Sequence, residues 1–326
     1  MQLVLDTRGL SVSVRNRCFL LETERETRMI HPSRVSSILI TMPCRISSPA
    51  LILASRSEIP VIFCDGAGHP EARIWSPRFT GLSTLRRKQY VYTSNSVSML
   101  WMLRIILNKT SGQLSNLLFL ADRKPSLEPA VKRAVEDIRR RTGTETGGDK
   151  FKGDLNRAGL LWIESYIAAK YWPLAGRAFD EPFCFVSRNK RGATDPFNIC
   201  LNYLYGMLRN HTETAVLSMG LDPALGILHR DGYRMPSLVF DLMEPFRPMV
   251  DRLLFTALLK RDLSASVTEE TAGSIQLSRE GRKKLIQMFN QGIDSRVKYQ
   301  GKVTSIRNHV LSEAKALANE IRKHEG

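Results

Sequence analysis

What this sequence lacks narrows its class first. Its five cysteines, Cys18, Cys44, Cys64, Cys184 and Cys200, are odd in number, and no two stand in a CxxC spacing. That scatter argues against a disulfide framework or a zinc knuckle and fits a reducing cytoplasm. Long apolar runs are missing too, with no segment reaching the roughly 18 uninterrupted apolar residues of a membrane span. The start, MQLVLDTRGLSVSV, alternates apolar and polar residues and lacks the continuous apolar stretch of a signal peptide, so a soluble, unexported, cytoplasmic protein with no membrane partner is expected. There is no internal repeat or low-complexity tract. Acidic residues are outnumbered, 32 Asp and Glu against 48 Lys and Arg, for a formal net charge of +16. Such an excess suits a polyanionic partner, nucleic acid first, although ribosomal and membrane-surface proteins share it.

What is present divides the chain in two. At 326 residues, 43% of them hydrophobic, it is long enough for two compact cores. From Gln2 to about Trp75 the pattern has period two: Leu10, Val12 and Val14 alternate with Ser11 and Ser13, and CFLLET, SSILIT and PVIFCD follow. One helix is expected among these short strands, because Ser48 offers a capping hydroxyl before Pro49 at a first helical position, ahead of ALILAS. Asp65, Gly66, Gly68 and Pro70 then turn the chain into a last strand, ARIW. After Pro77 the period becomes 3.6, in MLWMLRIILNK, LEPAVKRAVEDIRRR, LLWIESYIAAKYW and PMVDRLLFTALLKR. The expected fold is α+β: a β-rich N-terminal domain over residues 1–77, with small sandwich-like sheets, and a larger all-α domain over residues 78–326. TGTETGGDKFKG reads as a mobile loop and SRNKRGATDP as a basic one, whose Arg188, Lys190 and Arg191 are candidates for phosphate contact or simply for solvation.

A few side chains stand out against these patterns. Glu164 shares a helix face with Leu160, Ala168 and Tyr171, so its carboxylate needs a cation, a hydrogen-bond donor or a proton. An ion pair with a helix Lys or Arg would satisfy it as well as a metal ion. Asp222-Pro223 reads as a helix cap and first turn, ended by Gly226 just before His229. Asp241 and Glu244 lie three apart in an otherwise apolar run and would face one place, and Pro245 should loosen the helix there. The plainer alternative is a capping Asp and a surface Glu paired with Arg247. One imidazole and two carboxylates, His229 with Glu164 and Glu244, make an oxygen-rich set suited to Mg²⁺ or Mn²⁺, or on ligand type alone to non-haem iron. The basic composition favours phosphoryl chemistry.

These residues carry a resemblance. The run from Gly220 to Pro248, with GLDP, His229 and the DLMEPFRP block, resembles the signature of the CRISPR-associated integrase family, the large catalytic subunit of the spacer-acquisition complex. DPFNICLNYLYGML and LLWIESYIAAKYW precede it in the family's order, and weaker similarity in RRKQY, IILNKTSGQ and LSREGRKKLI extends it over nearly the whole chain. The resemblance implies that Glu164, His229 and Glu244 are metal ligands and that Asp241 supports the same site. It implies a transesterification in which the 3′-hydroxyl of captured DNA attacks a repeat phosphodiester, with nuclease activity when water replaces the hydroxyl. It further implies double-stranded DNA as substrate, a homodimer formed through the β-rich domains, and a small second CRISPR-associated subunit bridging two dimers. Ser165 departs from the glycine common in the family, and ALGILH is less aromatic than usual. A mobile-element integrase or a branched-DNA nuclease of the same fold would carry the same site, and a non-catalytic DNA scaffold is the alternative of another class. Arg86, Arg87, Lys88, Arg104 and Lys109 are candidate DNA contacts on the first long helices. Asn198, Asn202 and Tyr205 share a helix face that either lines the site or meets solvent.

Overall fold

The computed structural model describes residues 1–64, 70–74, 76, 83–143, 155–190, 192–229, 232, 235–271 and 273–324. Asp65, Gly66, Gly68, Trp75, the boundary at residue 77, Arg191 and all but the first two residues of the loop 142–153 lie outside them. The chain forms two compact units, Met1–Arg86 with Leu217–Gly220, and Arg87–Val216 with Leu221–Gly326.

In the first unit, period-two alternation becomes two four-stranded sheets. One has the order β1 (Gln2–Leu5), β5 (Ser37–Ile40), β7 (Val61–Cys64), β8 (Pro70–Ile74), the first three parallel and β8 antiparallel. The other has the order β4 (Thr27–Ile30), β3 (Cys18–Glu22), β2 (Ser11–Arg15), β6 (Arg45–Ile46). Between β2 and β3 the chain reverses in two residues, Asn16 (φ 51°) and Arg17 (φ 58°), the left-handed pair that a tight hairpin with the natural strand twist requires. That turn fixes the register Val12↔Leu21 and Val14↔Phe19. Phe19 is thereby sealed from solvent and joins Leu5, Val12, Ile38 and Val61 in a core that draws on both sheets. Helix α1 (Ser48–Arg56) seals this core with Ala50 and Ala54. Its cap is Ser47, one residue before the expected Ser48, with Oγ accepting the Ala50 amide at 3.4 Å.

The second unit is helical except for two hairpins, β9–β10 (Thr268–Thr271, Ser274–Leu277) and β11–β12 (Arg296–Tyr299, Lys302–Ser305), that an all-α reading did not include. After α2 (Ser83–Thr93) comes its spine, α3 (Val97–Arg123), 27 residues and so roughly 40 Å long. Against it pack α4 (Glu128–Thr142), α5 (Arg157–Gly176) and α8 (Arg247–Leu259). Asn116, 2% exposed, ties three of these helices: its amide donates to Tyr171 Oη at 3.0 Å and to Pro248 O at 2.8 Å, and its Oδ1 accepts from Arg252 Nε at 2.8 Å. Gly112 permits this approach, since a Cβ there would stand 2.8 Å from Pro248 Cβ. Helix α6 (Pro196–Ser218) leads to an irregular segment, then to α7 (Ser237–Met243). As Pro245 predicts, the helix breaks into a single 3-10 turn, Glu244–Phe246, before α8 begins. Helices α9 (Arg279–Asp294) and α10 (Ile306–Lys323) complete the unit. Among the described residues no helix is long and apolar enough to cross a membrane.

Candidate active site

Two arrangements meet near the 3-10 turn. The first is a clamp. Asp241 on α7 is fully buried, and its Oδ2 accepts the amides of Ile227 at 2.5 Å and Leu228 at 3.0 Å, while Oδ1 accepts the His229 amide at 3.0 Å and Nδ1 of its ring at 2.6 Å. The segment it holds is not the helix that Asp222-Pro223 suggested. Asp222 Oδ1 accepts the Ala224 amide at 2.9 Å, making a local turn that competes with helix. Buried Gln89 anchors that turn, donating to Asp222 O at 2.9 Å and Leu225 O at 3.2 Å and accepting the Asp222 amide at 2.8 Å. Gly226 is required by contact: a Cβ there would lie 2.5 Å from Ser237 Cβ. With Nδ1 committed to Asp241, the His229 ring keeps Nε2 for another partner. Burial favours the neutral ring, but the Asp241 hydrogen bond and the charges of Asp241, Glu244 and Glu164 outweigh it and raise the pKa above the ordinary histidine value.

The second arrangement is an open cavity of about 370 Å³ lined by residues of α3, α5, α6, α8, the 187–190 loop and the 3-10 turn. Here Glu164 and Glu244 converge on one cation, Lys109. Its Nζ lies 2.5 Å from Glu164 Oε1 and 2.6 Å from Glu244 Oε2, and Arg247 Nε lies 2.8 Å from Glu244 Oε1. Glu244 Oε2 is buried, and its partner is the Lys109 ammonium. Burial works to raise the Glu244 pKa, but Arg247 and Lys109 dominate and hold the carboxylate ionised. Lys109 is the mirror case: burial opposes its charge, and Glu244 and Glu164 more than restore it.

The cavity walls are cationic and aromatic. Arg188 reaches across Trp172 and Tyr205 at 5.8 and 5.4 Å from the ring centroids and is fixed by Asn198 Oδ1 at 2.8 Å and Asn202 Oδ1 at 2.5 Å. Arg247 stands 4.6 Å over Tyr205, whose hydroxyl donates to buried Asp251 at 2.5 Å. Asp251 also accepts from Tyr171 at 2.9 Å, and burial pushes its carboxyl up to about 6. Lys190 completes the rim, with burial lowering its pKa.

The structure therefore gathers the four expected acid and imidazole residues unevenly. Glu164 and Glu244 share the cavity, and His229 and Asp241 form the adjoining clamp; Asp241 does not face the same place as Glu244. Among the described residues no group of three or more His, Cys, Asp or Glu side chains is disposed to hold one ion. Several expected DNA contacts have other partners. Lys109 lies between the two carboxylates, Arg104 pairs with Glu313 at 2.5 Å, and Lys88 donates to the carbonyls of Arg322 and His324 at the end of α10. Asn198 and Asn202 act as supports for Arg188 rather than as lining. The plainer pairing of Glu244 with Arg247 is present, though Glu244 is buried rather than on the surface, and Glu164 has its helix lysine in Lys109; sequence reasoning did not place Lys109 or Asp251 at the site. The available signal was the recurrence of Lys109, Gln113 and Asn116 at four- and three-residue spacing along one face of an apolar helix.

This architecture has counterparts. A casposase bound to integration product matches it with a TM-score of 0.81 at 22% identity, covering 100% of this chain and 92% of the other. A partial Cas6-RT-Cas1–Cas2 complex matches with a TM-score of 0.66 at 18% identity, covering 99% and 95%. At the level of fold, this chain is similar to those proteins. In sequence, the CRISPR-associated endonuclease Cas1 of Korarchaeum cryptofilum is 28% identical over 309 residues, 92% of this chain and 88% of that protein. The family model described as CRISPR associated protein Cas1 matches residues 3–291, and the chain belongs to that family.

Proposed function

We propose that this protein is a metal-dependent DNA endonuclease and integrase of CRISPR adaptation, working from Glu164, His229 and Glu244. The observation that carries the reading is the pair of carboxylates, Glu164 and Glu244, converging on one buried cation in the cavity. The chemistry of this donor set suits Mg²⁺ or Mn²⁺ once the Lys109 ammonium yields its place, and the clamped imidazole would offer Nε2 as a third ligand once clamp and cavity draw together around the ion. A divalent ion bound there would polarise a phosphoryl oxygen and stabilise the charge that develops in displacement.

The protein's own residues do the remainder. Asp241 fixes the tautomer and direction of His229, and Arg247, Arg188 and Lys190 offset the charge of an incoming phosphate. Attack by a DNA 3′-hydroxyl forms one P–O bond and breaks another, releasing a new 3′-hydroxyl and conserving the number of phosphodiesters, so no nucleotide triphosphate is consumed. Attack by water in the same place gives cleavage. Double-stranded DNA, a homodimer through the strand-rich unit and a small second CRISPR-associated subunit are the partners this reading carries. A mobile-element integrase is the second reading, favoured by the likeness in fold to the casposase.

The test is gel analysis of short duplex DNA mixed with a supercoiled repeat-bearing plasmid, with Mn²⁺, Mg²⁺ or EDTA, for wild type, His229→Ala and Glu244→Ala. Joined or nicked plasmid only with metal, and only with wild type, is expected. Equal activity of the variants would refute the site, and joining that ignores the repeat would favour the mobile-element reading.

A further inference from the structure

Helix α5 carries a second set of aromatic and basic side chains that the cavity does not use. Trp162 and Tyr166 lie two residues before and two after Glu164, which puts them on the opposite side of the helix from that carboxylate. Their rings stack at 5.4 Å between centroids with 21° between planes. The Arg141 guanidinium, from the last turn of α4, covers both, 5.3 Å from the Trp162 ring and 4.7 Å from the Tyr166 ring, and Lys170 Nζ stands 4.9 Å from the Tyr166 ring.

This platform is braced. Asp137 on α4 accepts from the Tyr166 hydroxyl, from Arg140 at 2.6 Å and from Lys170 at 2.9 Å, so one carboxylate holds the tyrosine and two cations in place. It offsets part of the local charge, and the last turn of α4 still presents Arg139, Arg140 and Arg141, all exposed. Trp162 itself remains 50% exposed. A large indole stacked on Tyr166, met by the Arg141 guanidinium and half open to water, gives up hydrophobic stabilisation that a buried position would supply. The exposed half of the indole, beside the arginines that end α4, suits a flat, negatively tethered partner: aromatic surface to pack against and cations for the tether.

We infer that the α4–α5 face is a stacking site for the bases of unpaired DNA, with Trp162 as the platform and Arg139, Arg140 and Arg141 as phosphate contacts. Single-stranded rather than duplex DNA is the ligand because only unpaired bases expose their faces to a side chain. The inference rests on the DNA reading above and adds to it a place, outside the catalytic cavity, where a frayed end or displaced strand is gripped.

The experiment is fluorescence anisotropy in EDTA, where no cleavage occurs, with a labelled single-stranded oligothymidine and a labelled blunt duplex. Trp162→Ala is expected to weaken single-strand binding about tenfold while leaving duplex binding within about twofold, the scale of one lost base stack. Trp162→Phe should recover most of the loss, and Arg141→Gln should lower the salt slope of single-strand binding by about one. Thermal melting of each variant guards against a folding defect, and the Phe variant preserves the test if the Ala variant melts early. Unchanged single-strand binding, or an equal loss on duplex, overturns the stacking site while leaving the DNA reading intact. Wild type that binds neither oligonucleotide overturns both.

Discussion

Asp241 and Glu244 are three residues apart, both buried, and held in opposite ways. Asp241 is satisfied by three backbone amides and one imidazole, all fixed by the local chain. Glu244 is satisfied by two side-chain cations, Lys109 on one oxygen and Arg247 on the other. A carboxylate tied to backbone amides cannot exchange its partners without unfolding the loop, so it serves position. A carboxylate neutralised by long basic side chains can trade one cation for another, so it serves binding. Asp251 is a third case, held by two tyrosine hydroxyls and raised to about 6 because burial exceeds what neutral donors return.

The comparison breaks most sharply at Lys109. Lys109→Met leaves Glu164 and Glu244 facing each other without their shared cation and should lower metal-free stability by about 4 kcal/mol in chemical denaturation. Added Mn²⁺ should then raise the melting temperature more for the variant than for wild type; equal shifts would mean that Lys109 and the ion do not compete. Next in size is the pH response of Asp251. Its folded pKa of about 6 lies above the ordinary 3.8, so its contribution is fully present below about pH 3.8 and is lost as pH rises through 6. The loss should reach about 3 kcal/mol, seen as a stability slope between pH 4 and about pH 6.5 that Asp251→Asn flattens. Smallest is Asp241→Asn, where an amide NH₂ meets donors: stability should fall by about 2 kcal/mol, and no metal should restore it. Restoration by Mn²⁺ would put Asp241 among the ligands and make its role the same as that of Glu244.

How far the sequence reaches differs along the chain. Strand alternation around Leu10, Val12 and Val14 was readable because β2 buries Val12 between half-open neighbours, and the tight β2–β3 turn then left one register available. Pro245 announced its own break, since a missing amide is a local fact. Asp222-Pro223 misled because the same two residues open a helix or an Asx turn, and Gln89, far away in sequence, anchors the turn. Lys109 misled more: on charge alone it reads as a surface contact, and only the packing of α3 against α5 and the 3-10 turn makes it a buried counter-ion, 55 residues from Glu164.

By itself, the sequence determined the two periodicities, the helical break before α8, and which few carboxylates and which histidine sit among apolar neighbours, because those are properties of local spacing. The tertiary structure alone decided which cation each carboxylate meets, that Asp241 clamps a loop while Glu244 opens on a cavity, and that Trp162 stays half in water. Those outcomes depend on side chains from separate helices arriving at one place, and charge compensation at a buried site is settled by distance in space rather than distance along the chain.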